Sequence, residues 1–478
     1  MDIVKRAAAH LESFTFERLG TALLFLAIGV AACFSPAQND TWWHLRAGGD
    51  IWASRAIDLR DHYSHTVNGG YWPNHEWLSQ VVFFAVYRVG GMPLLTFLVA
   101  ALIVGAWWLI WRVTPGGTTL RVILCALALI PSSLAWALRP QVFTLVMLAA
   151  TSVLLVRRRY LLLPPLFLIW ANLHGGVMLG FPLLAGGVAG RFVEERKWPL
   201  RLLAVIGLCV VATTITPLGA SLWAEVPASL VRTRPYGISE WRAPGLIEPV
   251  FMPFWLLAGV LVVLTIRERP WRATSASSVM TWTALAMLPL ALTSGRNVPP
   301  FVLLAVPAIA AMRGSYAPAS RRASGGIEHP RLNAGIFAIL FTAALATVSY
   351  AWISELPGLG WRPLPPQALE ALAACPDRLY NRYDEGGYLI WFLPQRKVFV
   401  DSRQDPYPAT LVHEQIRTEI SGDYRELFEQ HAIRCAFVAA GSPIAQRLAA
   451  NGWEQEYVGR SWAVLTRASD RDEPGPVR

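Results

Sequence analysis

Long apolar segments recur along most of this chain, and they constrain its fold more than any other feature. A helix needs about 20 mostly apolar residues to cross the hydrocarbon core of a bilayer, and hydropathy predicts about eleven spans before residue 355. The predicted spans lie near Leu19–Phe34, Met92–Trp111, Val122–Leu138, Val142–Val156, Leu161–Asn172, Val177–Gly190, Leu202–Thr216, Phe251–Ile266, Val279–Leu292, Val298–Met312 and Ala334–Ile353. Charged residues make up only 15% of the chain, against about a quarter in soluble domains. The sequence therefore predicts a mostly α, polytopic transmembrane helical bundle.

The basic residues predict the orientation of this bundle. The stretch Trp77–Val89 is apolar but short for a crossing, and we interpret it as re-entrant or interfacial. With it left out, Lys and Arg concentrate on the side of the N-terminus, as in Arg157–Arg159 and Arg196–Lys197. Cytoplasmic loops carry such an excess, so we expect a cytoplasmic N-terminus. The net charge of +10 reflects this topology and does not indicate a nucleic-acid partner.

The composition changes after the last predicted span. Residues 355–468 alternate β-like and helix-like runs, a pattern typical of an α/β domain. The β-like runs are Arg378–Tyr380, Lys397–Asp401, Cys435–Ala439 and Trp462–Thr466, and the helix-like runs are Leu411–Ile420, Asp423–His431 and Pro443–Ala450. An odd number of spans would make this C-terminal domain extracytoplasmic, with residues 469–478 as a disordered tail. Cys375 and Cys435 lie in the domain, and the sequence leaves open whether they pair.

The first predicted extracytoplasmic loop, residues 36–77, begins with NDTWWHLRAGGDIW. Asp40 can cap a helix here, and His44 lies four residues on, on the same face. One interpretation is an interfacial helix anchored by its apolar side chains. These are Trp42, Trp43, Leu45, Ile51 and Trp52. The other is a substrate site, because His75 and Glu76 add polar groups to the same loop. A divalent metal site is a third hypothesis, although the spacings match no compact ligand pattern.

Other loops predicted on the same side carry charged or hydrogen-bonding residues. They are Arg139 and Gln141 in ALRPQ, His174 in NLHGG, Glu240 and Arg242 in ISEWRAP, and Arg296 in SGRNVPP. Polar residues at membrane depth cost free energy and usually face a cavity or a partner. Each one alone is also explained by a snorkelling arginine or a turn. Together, the arginines suit an anionic headgroup such as a phosphate.

On these residues the chain resembles the C-type glycosyltransferase superfamily, integral membrane enzymes with a cytoplasmic N-terminus and a large first extracytoplasmic loop. The segments DTWWHLRAGGDIW, NHEWLSQ, RPQ, NLHGG, YDEGGYLIW and VFVDSR resemble bacterial membrane proteins classed with the undecaprenyl- or dolichyl-phosphate-sugar-dependent transferases. The resemblance implies that residues 1–354 form a transmembrane glycosyltransferase-like domain in the cell inner membrane. It implies a polyprenyl-phosphate sugar as donor and an extracytoplasmic glycan, lipid or protein as acceptor.

The resemblance also implies roles for particular residues. In the superfamily an acidic residue just after the first span acts at the catalytic centre, and Asp40 is the matching residue. Asp40 would then be the general base, while Arg139, Arg296 or His174 would stabilise the leaving phosphate. Many members carry two adjacent acids here, whereas this chain has an asparagine before Asp40. Metal binding by an acidic pair is therefore in doubt, and no cofactor is assigned.

In the C-terminal domain, Asp384, Asp401 and Arg403 lie near predicted strand ends, where ligands bind in open α/β sheets. They are interpreted either as acceptor-binding or lid residues, or as surface pairs and turn formers. The sequence leaves two other functions open. One is a transporter or flippase of a lipid-linked glycan, for which the NLHGG break would lie at mid-membrane. The other is a non-catalytic membrane partner protein.

Overall fold

The chain forms two compact units in a computed structural model, which describes residues 14–233, 239–271, 278–314, 328–376 and 378–467. The helical unit comprises Met1–Pro36, Val86–Leu222 and Ser239–Leu359. The composite unit comprises Ala37–Ala85, Trp223–Ile238 and Gly360–Arg478. The first predicted loop therefore folds with the C-terminal residues, from which the sequence separates it by nearly 300 positions. The predicted disordered tail, 469–478, lies outside the described residues.

Each predicted span of the helical unit coincides with a helix. The helices are Phe16–Ala32, Trp77–Val113, Thr118–Ser132, Gln141–Val156, Leu163–Leu173, Gly180–Glu195, Leu200–Thr213, Met252–Glu268, Ser278–Thr293, Val298–Gly314 and Pro330–Ile353, and a further helix, Leu222–Thr233, lies between the seventh and eighth predicted spans. Among the described helices, five are long and apolar enough to cross a membrane. The higher count of about eleven crossings stays a prediction.

The Trp77–Val113 helix is broken near its middle. The backbone leaves helical geometry at Gly90 and Gly91, and Gly91 has a φ of +62°, which glycine adopts without a steric penalty. At ~1.5 Å per residue, the part before the break extends over roughly 20 Å, less than the ~30 Å of a hydrocarbon core. That length fits the interpretation of Trp77–Val89 as too short to cross.

The helices of the helical unit differ in how much of each is buried. The segment Gly295–Arg313 is 89% buried, whereas only 6% of the Pro330–Ile353 segment is buried. A helix that is apolar all round belongs in the interior of a large bundle or in lipid. The Gly295–Arg313 segment is central to its unit. The Pro330–Ile353 segment lies at the edge and exposes apolar side chains such as Ile339 and Phe341. Those exposed side chains fit a lipid environment.

The composite unit has a four-stranded sheet. Its strands are β1 Leu379–Asn381, β2 Cys435–Ala439, β3 Trp453–Val458 and β4 Trp462–Arg467, in the order β1-β2-β4-β3. β1 and β2 are parallel, and the other two pairs are antiparallel. The helices of the unit are Asn39–Ser54, Pro366–Ala374, Gly386–Phe392, Ala409–Ser421, Arg425–Gln430 and Pro443–Ala450. The α/β pattern read from the sequence is thus present, with β2 and the last helix at the predicted residues.

One predicted strand is wrong. Lys397–Asp401 does not join the sheet, and its only ladder contact is an isolated parallel bridge between Val398 and Ser64. The side chain of Asn381 occupies the place of a ladder partner. It donates to the carbonyl of Val400 at 2.7 Å and accepts from the amide of Phe399 at 2.8 Å. The β-like pattern marks a buried extended segment whose backbone is satisfied by the first loop and by one side chain.

The apolar core of the composite unit is shared by both ends of the chain. Trp43 and Trp72 from residues 37–85 pack in one cluster with Leu389, Phe437 and Val464. The interpretation of the first loop as an interfacial helix with aromatic anchors is therefore wrong for Trp42, Trp43 and Leu45, which are buried in protein, although Trp52 remains 47% exposed. The aromatic residues of the opening motif serve to attach this helix to the C-terminal residues.

A disulfide closes part of this unit. Cys375, at the end of the Pro366–Ala374 helix, is bonded to Cys435 at the start of β2. The sequence had left this pairing open. Crosslinking residues that are 60 positions apart restricts the unfolded chain and typically stabilises a fold by about 2–4 kcal/mol.

A buried charge cluster joins the first loop to the C-terminal residues. Arg403 is fully buried and lies 2.5 Å from Asp61 and 2.7 Å from Asp401 through the same Nη2 atom. Its Nε also donates to Asp401 at 2.8 Å, and Tyr407 donates its hydroxyl to Asp401 at 2.5 Å. The guanidinium lies over the Trp72 ring at 4.8 Å. Asp61 and Asp401 therefore share one cation, and a guanidinium group does not lose its proton in proteins.

Replacing Arg403 with Met is expected to destabilise the protein by about 3–5 kcal/mol, because Asp61 and Asp401 would stay buried without their cation. The measurement is the melting temperature of the purified protein in detergent. Arg460→Met is the matched control, since Arg460 is exposed. Equal melting temperatures for the two variants would contradict a structural role for the cluster.

Candidate functional site

Asp40 lies in the first turn of the Asn39–Ser54 helix and is half-buried. The expectation that Asp40 caps this helix is wrong, because the helix begins one residue earlier and Gln38 occupies the cap position. The carboxylate is held from the side instead. Its Oδ1 accepts from the Trp43 indole at 3.2 Å and from the Ser402 hydroxyl in a short hydrogen bond. An acid in a first turn is also stabilised in its charged form by the helix dipole.

His44 lies on the same helix but meets a different carboxylate. Its Nε2 is 3.5 Å from Glu76, and its ring packs against that of Trp43 in a tilted arrangement, with 3.5 Å between centroids and 34° between ring planes. His75 is 3.8 Å from the other oxygen of Glu76. The structure therefore brings His44, His75 and Glu76 together in one cluster on residues 37–85.

Asp401 and Arg403 belong to the buried cluster described above, and both side chains are fully enclosed. The interpretation of these two residues as a surface pair is therefore wrong, whereas Asp401 does form a turn, because its Oδ1 accepts from the amide of Arg403 at 2.9 Å. Ser402 between them is half-buried and points its hydroxyl at Asp40. In the VFVDSR motif, two buried ion-paired residues thus flank Ser402, the residue that reaches the candidate site.

Asp384 lies in a second group of acids. Arg382 is within 4.0 Å of three carboxylates, at 3.6 Å from Asp384, 3.7 Å from Glu385 and 4.0 Å from Glu419. Asp384 is largely exposed, whereas Glu385 is buried. Tyr380 donates its hydroxyl to Glu419 at 2.8 Å. One cation for three acids leaves this group with an excess of negative charge when all are ionised.

Burial governs proton binding in this group. Burial raises the pKa of Glu419 to about 7 despite the hydrogen bond from Tyr380 and the charge of Arg382. Burial also raises the pKa of Glu385. Burial, followed by the charges of Glu385, Asp384 and Asp40, raises the pKa of Tyr388 to about 12. The pKa of Tyr388 is thus affected both by Asp40 and by the acids around Arg382.

The helical unit has a cationic cluster of its own. Glu240 Oε1 lies 3.7 Å from Arg139 and 3.6 Å from Arg296, so one carboxylate oxygen is held by two guanidinium groups. Burial acts to raise the pKa of Glu240, but the charges of Arg296 and Arg139 outweigh it and hold that pKa below its usual value. The cluster keeps a net charge of +1 and is half-exposed. It can therefore attract an anion.

Hydrogen bonds to backbone carbonyls join two of the three segments that carry this cluster, those of Glu240 and Arg296. The amide of Gly295 donates to the carbonyl of Arg242 at 2.8 Å, and Ser294 donates its hydroxyl to the carbonyl of Glu240 at 3.2 Å. Arg296 lies over the ring of Trp241 at 4.8 Å. The side chain of Arg242 is exposed, and its contribution to this frame is its carbonyl.

His174 and Gln141 lie in separate surroundings within the helical unit. His174 is buried, and its Nδ1 accepts from the amide of Gly176 at 2.8 Å and lies 2.8 Å from the Thr144 hydroxyl. Thr144 accepts from the Trp170 indole at 3.0 Å, so its own proton is directed to His174. Gln141 donates to the carbonyl of Ala135 at 3.4 Å. His174 is thus fixed in one tautomer with its proton on Nε2.

The sequence missed several residues of these clusters. Ser402, Glu419 and Thr144 were not predicted as site residues, and Asp61 was not predicted to pair with Arg403, 342 positions away. Only the VFVDSR motif itself pointed toward Ser402. Among the described residues, no group of three or more His, Cys, Asp or Glu side chains is placed to hold a metal ion.

The raised pKa of Glu419 gives the folded protein a defined pH dependence. Ionising Glu419 costs more in the folded than in the unfolded state, so its contribution to stability falls as pH rises from about 4.5 to about 7. Glu419→Gln should remove that loss, on the order of 2 kcal/mol, and reduce the drop in melting temperature between pH 5 and pH 8. Burial lowers the pKa of His65 and of His431, which acts in the opposite direction, so the comparison is between variants. Exposed Glu429→Gln is the control, and a Glu419→Gln profile that matches it would refute the effect.

No family model and no curated protein matches this chain, but solved structures do. The oligosaccharyltransferase AglB from Archaeoglobus fulgidus, in complex with an inhibitory peptide and a dolichol-phosphate, matches with a TM-score of 0.57 and 10% identity. The apo form of the Archaeoglobus fulgidus oligosaccharyltransferase matches with a TM-score of 0.54 and 9% identity. Both matches cover 87% of this chain and 69% of the other.

ArnT from Cupriavidus metallidurans, bound to undecaprenyl phosphate, matches with a TM-score of 0.51 and 13% identity, over 95% of this chain and 98% of ArnT. At such low identities the likeness establishes the fold. The likeness predicted from the sequence is therefore confirmed for the fold, over most of the chain, by the oligosaccharyltransferase and ArnT structures.

Proposed function

We propose that this protein is a membrane glycosyltransferase that moves a sugar from a polyprenyl-phosphate donor to an extracytoplasmic acceptor, with Asp40 as general base. The observation that carries the proposal is the shared fold with two enzymes whose solved structures hold dolichol-phosphate and undecaprenyl phosphate. A fold alone does not fix an activity. The second support for the proposal is the chemistry of the Asp40 site and of the cluster formed by Arg139, Glu240 and Arg296.

In the proposed reaction, a carboxylate oxygen of Asp40 takes the proton of an acceptor hydroxyl. The acceptor oxygen forms a bond to the anomeric carbon of the sugar, and the bond from that carbon to the phosphate oxygen breaks. The electron pair leaves with the polyprenyl phosphate. Asp40 suits this role because the two donors on its Oδ1, Trp43 and Ser402, are neutral groups that orient the carboxylate without adding a charge. Orienting a base in this way contributes to catalysis by reducing the entropy lost at the transition state.

For the donor phosphate we propose Arg139 and Arg296. These guanidinium groups already hold the carboxylate of Glu240 between them, which is the geometry that a phosphate oxygen would use. The charge that develops on the leaving phosphate would be stabilised by the same two cations. Arg242 lies two residues after Glu240, and Gln141 lies two residues after Arg139 at the start of the Gln141–Val156 helix.

For the acceptor we propose the acids of the composite unit. Asp384 is exposed beside Arg382, and carboxylates of this kind bind sugar hydroxyls or an amine. The cluster of His44, His75 and Glu76 offers further hydrogen-bonding groups. This assigns the C-terminal residues to acceptor binding, while Asp401 and Arg403 hold the unit together.

The chemistry of the composite unit supports the proposed compartment. Disulfides persist in oxidising compartments such as the periplasm and are rare in the cytosol, and this unit contains the Cys375–Cys435 bond. This supports an extracytoplasmic C-terminal domain in a multi-pass protein of the cell inner membrane. It also agrees with a cytoplasmic N-terminus and about eleven spans.

Replacing Asp40 with Asn is expected to lower sugar transfer by about 10²–10⁴-fold, the usual contribution of a general base. The measurement uses purified protein in nanodiscs, a panel of radiolabelled polyprenyl-phosphate sugars and a mixture of glycan, lipid and peptide acceptors. Release of labelled sugar to water counts as turnover, so the assay does not depend on finding the natural acceptor.

Asp58→Asn is the matched control, because Asp58 lies in the same loop and is exposed. Folding of both variants is checked by their melting temperatures. Turnover by Asp40→Asn equal to that of the wild type would rule out Asp40 as the base. The absence of binding or turnover with every lipid-linked sugar would refute the glycosyltransferase assignment.

The donor site makes a prediction with two opposite signs. Arg296→Gln should raise KM for the lipid-linked donor by roughly tenfold, which corresponds to the loss of about 1.4 kcal/mol of phosphate binding. Glu240→Gln should lower that KM, because its carboxylate no longer competes with the phosphate for the two arginines. Arg201→Gln, at an exposed position of the same unit, should leave KM unchanged. Shifts of Arg296→Gln and Glu240→Gln in the same direction would contradict an anion site here.

A further inference from the structure

The C-terminal segment reaches Asp40 through the side chain of Ser402. We infer that Ser402 is a positioning residue for the proposed general base, so that the C-terminal domain forms part of the catalytic centre in addition to binding the acceptor. The inference rests on the proposed function and extends it to a residue that the sequence did not indicate.

The hydrogen bonds around Ser402 form a closed triangle. The Ser402 hydroxyl donates to Asp40 Oδ1, while the Trp43 indole lies 3.2 Å from both the Ser402 hydroxyl oxygen and Asp40 Oδ1. An indole N–H can only donate, so Trp43 fixes the direction of the Ser402 proton toward Asp40. A charge-assisted hydrogen bond of this kind is about twice as strong as a neutral one.

Ser402 is held in place from both sides along the chain. Asp401 and Arg403, its two neighbours, are buried in the ion-paired cluster with Asp61. The Tyr383 hydroxyl donates to the carbonyl of Ser402 at 3.3 Å. The backbone at Ser402 therefore has little freedom, and its side chain can impose an orientation on Asp40.

A second contact fixes the start of the helix that carries Asp40. Asn39 donates its side-chain amide to the carbonyl of Tyr383 at 3.1 Å. Gly387 packs so closely on this turn that a Cβ there would come within 2.3 Å of the Asn39 carbonyl oxygen. The YDEGG motif is thus required for close contact with the residue next to Asp40.

The geometry separates this role from that of a nucleophile. A nucleophilic serine gives its proton to a base and attacks the substrate with the same oxygen. Here the Ser402 oxygen accepts from the Trp43 indole while its hydroxyl donates to Asp40, so both groups hold the serine in the role of a donor to the carboxylate. Ser402 therefore acts through Asp40.

Ser402→Ala is expected to lower kcat by roughly 10- to 100-fold, the effect of losing a hydrogen bond to a charged group. KM for the lipid-linked donor should stay within about twofold, since this residue contacts the base and not the phosphate site. The acidic limb of the pH–rate profile should move to higher pH, because the Asp40 carboxylate loses a donor that stabilises its ionised form. Ser402→Thr keeps the hydroxyl and should restore most of kcat. Exposed Ser461→Ala is the matched control.

A second measurement does not need turnover. Carbodiimide labels protonated carboxyl groups, so mass spectrometry of Asp40 labelling against pH reports its proton occupancy. In Ser402→Ala the labelled fraction should persist to higher pH than in the wild type, in Ser402→Thr and in Ser461→Ala. Unchanged kcat and an unchanged labelling profile in Ser402→Ala would overturn the inference, even if Asp40→Asn is inactive. A shifted labelling profile in a protein that turns over no lipid-linked sugar would refute the proposed function and leave the coupling of Ser402 to Asp40 standing.

Discussion

The buried guanidinium of Arg403 is the interaction on which the composite unit depends. A charge removed from water costs several kcal/mol unless partners of opposite sign replace the lost hydration, and here Asp61 and Asp401 do so from two distant parts of the chain. A neutral side chain of similar size would pack as well but would not require these two segments to meet. The ion pairs therefore specify which segments come together, and the shared apolar core around Trp72 then stabilises the arrangement.

The carboxylates of the two units differ in what neutralises them, and that difference separates their roles. Glu240 is held by two arginines, which keep its pKa low, so it is a poor proton acceptor and a good guide to where an anion binds. Asp401 is already ion-paired with Arg403 in the buried cluster. Burial places the pKa of Glu419 near neutrality, but Tyr380 already donates to its carboxyl group. Asp40 is the half-buried acid whose Oδ1 accepts from two neutral donors, Trp43 and Ser402, which orient the carboxylate without adding a charge.

Hydropathy and local pattern predicted the parts of this structure that depend on nearby residues. Helices formed at each predicted span, and β2 and the Pro443–Ala450 helix begin and end at the predicted residues. The failures concern contacts between distant segments. Lys397–Asp401 has the alternation of a strand, yet its partners are Ser64 and the side chain of Asn381. Periodicity shows which face of a segment is buried, but it does not show what buries it.

For the same reason, only part of the candidate site could be predicted from the sequence. Asp40 could be singled out because it lies directly after the first predicted span, where the family resemblance implies a catalytic acid, whereas Ser402 is an ordinary residue between two charged ones. Asp401, Ser402 and Arg403 are consecutive, yet the outer two are enclosed and the middle one reaches Asp40. Two buried ion-pairing residues fix the backbone of a short segment more firmly than apolar contacts of the same area, because each must keep its hydrogen-bond geometry as well as its burial. A serine held in this way can orient a carboxylate on another helix, so the features that stabilise the C-terminal domain are the same ones that would set the direction of the proposed base.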